Sequence, residues 1–127
     1  MKALLDTHAF LWAITKDARI SQRASEIFTG PNDLSISIVS IWEVLIKVQT
    51  GKLKLPRPSG AYLLGQLADN EIETLPVTLN HLLAFEKLPS HHRDPFDRML
   101  IAQSIDENWP IITADRDFKK YPVRIIW

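Results

Sequence analysis

The sequence predicts an α/β domain built on a mainly parallel central sheet of about five strands, with helices on both faces. Short apolar runs alternate along the chain with segments of helical period, and no two runs are joined by the two-residue turn of a β-hairpin. Four acidic residues far apart in sequence also fall where a predicted strand ends and a helix begins, which in such a sheet is one edge.

Taken in order, Ala3, Leu4 and Leu5 form the first strand and end at Asp6, and the spacing of Phe10, Leu11 and Ile14 begins a helix. Ser21 is placed to cap a second helix running to Phe28, which Gly30 and Pro31 stop. Leu34 to Ile38 reads as a strand. Ile41, Val44, Leu45 and Val48 then repeat at i, i+3, i+4, i+7, so a helix is predicted from just after Ser40 to Gly51. Pro56 to Pro58 is a stiff connector into a helix around Leu63, Leu64 and Leu67, and Ile72 to Val77, broken by Pro76, suits an edge strand or a strand end. Thr78 opens a helix with Leu79, Leu82, Leu83 and Glu86 on one face, closing near Pro89. Asp94 can cap the next helix with Pro95 in its first position, and the pattern runs to about Asn108. Ile111 to Thr113 reads as a buried strand, Ala114 to Lys120 as a turn or short helix, and Val123 to Trp127 as a last strand. With no repeat, low-complexity tract or internal boundary, residues 1–127 are expected to form a single domain.

Composition narrows the chemistry. With no cysteine, neither a disulfide framework nor a thiolate metal site is possible, so a metal would be held by carboxylates or by the four histidines. Lys plus Arg and Asp plus Glu are both 15, and a net charge of zero does not suit a generic nucleic-acid binder. No apolar stretch approaches the roughly 18 residues of a membrane span, and a first strand starting at Lys2 leaves no space for a secretory leader. The expectation is a cytoplasmic protein without membrane contact.

Asp6, Glu43, Asp97 and Asp115 are the four acids expected to converge. Two unit charges ~5 Å apart repel by about 3 kcal/mol at an effective dielectric near 20, so such a cluster needs protons or cations. Oxygen ligands favour Mg2+ or Mn2+, and those ions suit phosphodiester hydrolysis. Each acid also has a structural reading. Asp6 or Thr7 could cap the first helix, and Ser40-Ile41-Trp42-Glu43 has the form of a capping box. Asp97 could complement a helix dipole, and Asp115 and Asp117 could form turns. Arg98, Arg116, Lys47 and Lys52 are candidate phosphate contacts, though solvated surface charge is the simpler reading. The pair His91 and His92 could ligate metal or serve as a general base, but the simpler reading is structural or idle, and Trp12 and Trp42 read as core or dimer interface rather than base-stacking platforms.

The chain resembles the PIN-domain family, and within it the VapC-like toxins of type II toxin-antitoxin systems. Leu4-Leu5-Asp6-Thr7-His8 is similar to the family's opening strand and first acid, and Ser37 to Glu43 to the segment bearing the second. His92-Arg-Asp-Pro-Phe-Asp97-Arg-Met-Leu-Ile-Ala-Gln103 resembles its most distinctive block, with Asp97 in the third acidic position and Asp94 as competitor. Thr113-Ala-Asp115-Arg-Asp117-Phe118 resembles the closing motif, with Thr113 as a further site residue and Asp117 competing with Asp115. The resemblance implies a PIN-like fold and a Mg2+- or Mn2+-dependent endoribonuclease. It also implies a homodimer held inactive by a cognate VapB-like antitoxin. The alternatives are a receiver-like phospho-accepting signalling module, which lacks here the paired acids after the first strand, and a catalytically inactive PIN-like binding domain.

Overall fold

Strand β1 (Lys2–Leu5) sends alternate side chains to opposite faces, Ala3 and Leu5 into one apolar core and Leu4 into another. All three are buried, as a strand covered on both faces must be. Every residue from Met1 to Trp127 is described by the computed structural model.

Four further strands flank β1: β2 (Asp33–Ser37), β3 (Glu73–Leu75), β4 (Ile111–Ile112) and β5 (Ile125–Ile126). The sheet is parallel throughout, in the order β3-β2-β1-β4-β5. The strand number matches the sequence reading, and the segment expected over Ile72 to Val77 forms an edge strand, ending at Leu75 before Pro76. The chain lays β2 and β3 on one side of β1, then returns to lay β4 and β5 on the other. The topological switch therefore falls between β1 and β4, where the crevice of an open parallel sheet forms.

Helices α1 (Thr7–Ile14), α2 (Gln22–Thr29), α3 (Ile38–Gln49) and α4 (Ser59–Asp69) contribute Phe10, Ala24, Val44 and Leu63 to the first core. Helices α5 (Leu79–Glu86) and α6 (Pro95–Glu107) cover the opposite face. There Leu100, Ile101 and Ala102 pack with Phe118 and Tyr121, which belong to or follow a 3-10 turn (Arg116–Lys120). Ser21, Thr78 and Asp94 cap the helices assigned to them, and Asn108 ends α6 in the left-handed region at φ 56°.

Two local expectations are corrected. Helix α3 starts at Ile38, directly from β2, because the Ser37 hydroxyl accepts the Val39 N–H at 3.1 Å and caps it. The capping box proposed for Ser40 and Glu43 does not exist: Ser40 is buried and accepts the Thr7 hydroxyl at 2.8 Å, and Glu43 lies in the second turn. On α5 the leucine face is solvent-facing, with Leu79, Leu82 and Leu83 exposed. The residue that α5 buries is His81, whose Nδ1 accepts the Thr78 N–H and whose Nε2 lies 2.9 Å from Glu107 on α6. Trp42 also stands outside the core, 60% exposed and edge-on to Phe96.

Replacing Ser37 by Ala is expected to lower stability by about 1 kcal/mol through loss of the cap. Leu100→Ala, at a site with no solvent access, is expected to lose roughly 2–5 kcal/mol. Urea unfolding measures both, and an unchanged midpoint for Ser37→Ala would contradict the assigned start of α3.

Candidate active site

Asp6 leaves the carboxyl end of β1 in the N-cap position of α1, yet its side chain makes no capping hydrogen bond. The capping explanation of Asp6 therefore fails. Its Oδ2 instead accepts the hydroxyl of Thr113, just beyond the end of β4, at 2.9 Å. That bond spans the β1/β4 switch point and turns the carboxylate into the crevice. The same Thr113 oxygen accepts the Asp115 N–H at 3.0 Å, so one hydroxyl orients two of the expected acids.

Glu43 projects from α3, its Oε2 3.3 Å from Lys47 Nζ one turn on. Asp6 is 4% and Glu43 7% exposed, and the second oxygen of each, Asp6 Oδ1 and Glu43 Oε1, is buried without any hydrogen-bond partner. Leaving a carboxylate oxygen dry and unpaired is costly, so these two atoms mark where a cation or a proton belongs.

Asp97 and Asp115 complete the cluster. Asp94 is the cap of α6, its Oδ1 accepting the N–H groups of Phe96 and Asp97 at 2.8 and 3.1 Å, which leaves the Asp97 carboxyl free. Burial pushes that carboxyl up to about 8, with repulsion from Asp6, Asp94, Glu43 and Asp115 adding to it. Asp6 is likewise raised, by burial first and by Glu43 last, against the lowering effect of the Thr113 hydroxyl. This mutual repulsion is the electrostatic signature of convergence. Asp115 has two roles: Oδ1 accepts the Asp117 N–H at 2.9 Å, and Oδ2 faces inward. Asp117 is exposed and pairs with Lys120 at 3.3 Å.

His92, read from sequence as structural or idle, faces two of the four acids. Its Nε2 lies 3.2 Å from Asp97 Oδ2 and 3.4 Å from Asp115 Oδ2. Because Nδ1 accepts the Asp94 N–H at 3.2 Å, the proton of the neutral ring sits on Nε2 and points at the two carboxylates. The Tyr121 hydroxyl anchors the loop by accepting the His91 and His92 N–H groups. No spacing rule picks out a loop histidine, whose placement depends on Tyr121 some thirty positions away. Arg98 has other partners than a nucleic acid: its guanidinium lies over Phe85, 4.6 Å from the ring centre, with the Leu88 carbonyl 3.4 Å away. Arg116 is exposed beside Asp115.

The raised Asp97 carboxyl has a consequence for stability. The folded chain holds a proton there that the unfolded chain releases near pH ~4, so the stabilising contribution is complete below that pH. It is lost as pH rises toward the folded value of about 8. In chelator, thermal stability is expected to fall between pH 5 and 8 more steeply in the wild type than in Asp97→Asn; parallel profiles would contradict the assignment.

A family model described as PIN domain matches residues 3–123. Over 119 residues, 93% of this chain and 90% of the relative, the sequence is 28% identical to Ribonuclease VapC22 of Mycobacterium tuberculosis. The fold is similar to VapBC2 of Rickettsia felis, solved bound to a DNA fragment from its promoter. The TM-score is 0.75 at 18% identity, over 99% of this chain and 98% of that one. It is also similar to VapBC-5 of Mycobacterium tuberculosis, with a TM-score of 0.63 at 24% identity, covering 98% and 97%. With a match that spans nearly the whole sequence and a sheet whose order gathers the expected acids at its switch point, this chain belongs to the PIN domain family.

Proposed function

We propose that the protein is a divalent-metal-dependent endoribonuclease, the toxin of a type II toxin-antitoxin pair, with Asp6, Glu43, Asp97 and Asp115 as its metal-holding and catalytic acids. The observation that carries this reading is the pair of buried, unpartnered oxygens, Asp6 Oδ1 and Glu43 Oε1, inside a cluster whose charges repel one another. The donor set fits a hard cation, being all oxygen apart from a histidine whose facing nitrogen carries a proton. Mg2+ or Mn2+ bound there supplies positive charge for the phosphodiester and favours ionisation of an attacking water.

The chain's own groups account for the rest. Thr113 fixes the direction of Asp6 and the backbone of Asp115, so the carboxylates are positioned before substrate arrives. Asp97 holds a proton at neutral pH while the site lacks cations, and gives it up when positive charge enters. Thr7, through its bond to Ser40, ties the start of α1 to α3 and so sets Asp6 against Glu43. Asp94 and Asp117 act through structure, one as cap and one as turn residue.

The kinship with a ribonuclease and with VapBC complexes supports RNA as substrate and a VapB-like antitoxin as partner. We include a homodimer and a cytoplasmic site of action in the proposal; no helix is long and apolar enough to cross a membrane. PIN-family membership leaves the receiver-like alternative without support.

Single-stranded RNA is expected to be cut in Mg2+ or Mn2+ and left intact in excess chelator, with Asp6→Asn losing at least about a hundredfold in rate. Cleavage that persists in chelator would end the metal mechanism, and a well-folded wild type that cuts nothing would identify a catalytically inactive PIN-like domain. In cells, expression of the wild type without an antitoxin is expected to arrest growth and the Asp6→Asn gene to be tolerated. Equal toxicity of the two would assign the arrest to something other than cleavage.

A further inference from the structure

Two cavities beside the acidic cluster are lined by cations, although the chain as a whole is neutral. One, of about 340 Å³, lies between α1, α3 and the segment after α3, and takes Arg19, Lys47, Lys52 and Lys54 together with His8. It adjoins the active site through Lys47, whose Nζ contacts Glu43. The other, of about 260 Å³, begins at Thr113 and Asp115 and takes Arg23, Arg116 and Lys119. Seven of the 15 Lys and Arg residues therefore line these two cavities, against two acids, Asp17 and Asp115.

The cavities are joined by aromatic contact. Trp12 lines the first and Trp127 the second, and their rings meet edge-on with centres 5.8 Å apart. Arg19 lies over the Trp12 ring at 4.9 Å, held in place by Asp17 through two bonds of 3.0 and 2.8 Å, and its side chain is 68% exposed. Lys52, Lys54, Arg116 and Lys119 are all exposed, and none forms an ion pair. Tilted aromatic rings beside free cations suit a single-stranded nucleic acid, through phosphate neutralisation and contact with its bases.

We propose that this tryptophan-floored basic track binds single-stranded RNA on either side of the scissile phosphate, with Lys52 and Lys54 holding phosphates on one flank and Arg116 and Lys119 on the other. The inference rests on the nuclease reading above and adds the path of the strand. It also explains how a neutral protein whose active site repels phosphate acquires a polyanionic substrate: attraction is local, one half adjoining Glu43 through Lys47 and the other beginning at Asp115.

The test uses full-length protein carrying Asp97→Asn to suppress cleavage, in Mg2+, with a fluorescein-labelled single-stranded RNA followed by anisotropy across a salt series. Adding either Lys52→Glu/Lys54→Glu or Arg116→Glu/Lys119→Glu is expected to weaken binding at least tenfold. Each pair should also reduce the slope of log affinity against log salt by about 1.4, the share of two phosphate contacts on a single strand. Lys87→Glu, at the far face beside α5, is expected to change neither. Unchanged affinity and slope in both pairs would overturn the track, as would equal weakening by Lys87→Glu, which would mean attraction without a path. Pairs that keep RNA affinity but lose binding to a poly-glutamate peptide would assign the face to an acidic protein segment and also overturn it. A wild type that cuts RNA while both pairs bind normally refutes the track alone, whereas a wild type that neither cuts nor binds RNA refutes the nuclease reading itself.

Discussion

The hydrogen bond from Thr113 to Asp6 closes the gap between β1 and β4, and the geometry of the acidic edge depends on it. It joins residues 107 positions apart at the point where the sheet order reverses, and through the same oxygen it fixes the turn that bears Asp115. Folding must bring the two strand ends within hydrogen-bonding reach before either acid has a defined direction. The parallel pairing of Leu4 with Ile111 and Leu5 with Ile112 does this, through backbone hydrogen bonds from Leu4 N–H to Pro110 and Asp6 N–H to Ile112 between strands whose side chains are buried and apolar. Hydrophobic burial thus supplies the free energy that holds charged groups together against their repulsion.

That repulsion is left partly unrelieved. Lys47 neutralises one oxygen of Glu43, Thr113 satisfies one of Asp6, and His92 faces Asp97 and Asp115, yet Asp6 Oδ1 and Glu43 Oε1 stay buried with no partner. A core under selection for stability alone would pair or expel them. Local departures of this kind are expected where function outweighs stability.

Most of the fold was legible in the sequence because it is written in period and punctuation. The 3.6-residue stripes, Ser21, Thr78, the Asp94-Pro95 start of α6 and Asn108 at its end all act over one or two turns, within reach of pattern reading. Helix α3 was misplaced by three residues because Ser37 and Ser40 offer the same capping chemistry. The choice was decided by a tertiary bond, the one that commits Ser40 to Thr7. The four acids could be placed at one edge from topology, since strand ends and helix starts coincide there in any parallel sheet. His92 and Lys47 were named but given the plainer structural or surface reading, because their placement arises from Tyr121, Asp97 and Asp115, or from the neighbouring Glu43 once its side chain is turned inward. Lys47, Lys52 and Arg116 could be named one by one but not seen as a group, because a net charge of zero conceals a distribution in which cations gather in two cavities.

The central claim is that the unpartnered carboxylate oxygens await a cation, and Glu43→Gln isolates it, because the change removes one charge while keeping the side chain's shape. With the capping box absent, Glu43 has no helix-start role for glutamine to inherit. Melting temperature measured in chelator and again in millimolar Mg2+ is the direct test. The account predicts a clear metal-induced rise for the wild type. For Glu43→Gln it predicts a chelated protein at least as stable as the chelated wild type and a rise that is sharply reduced. A rise of equal size in both proteins would contradict it.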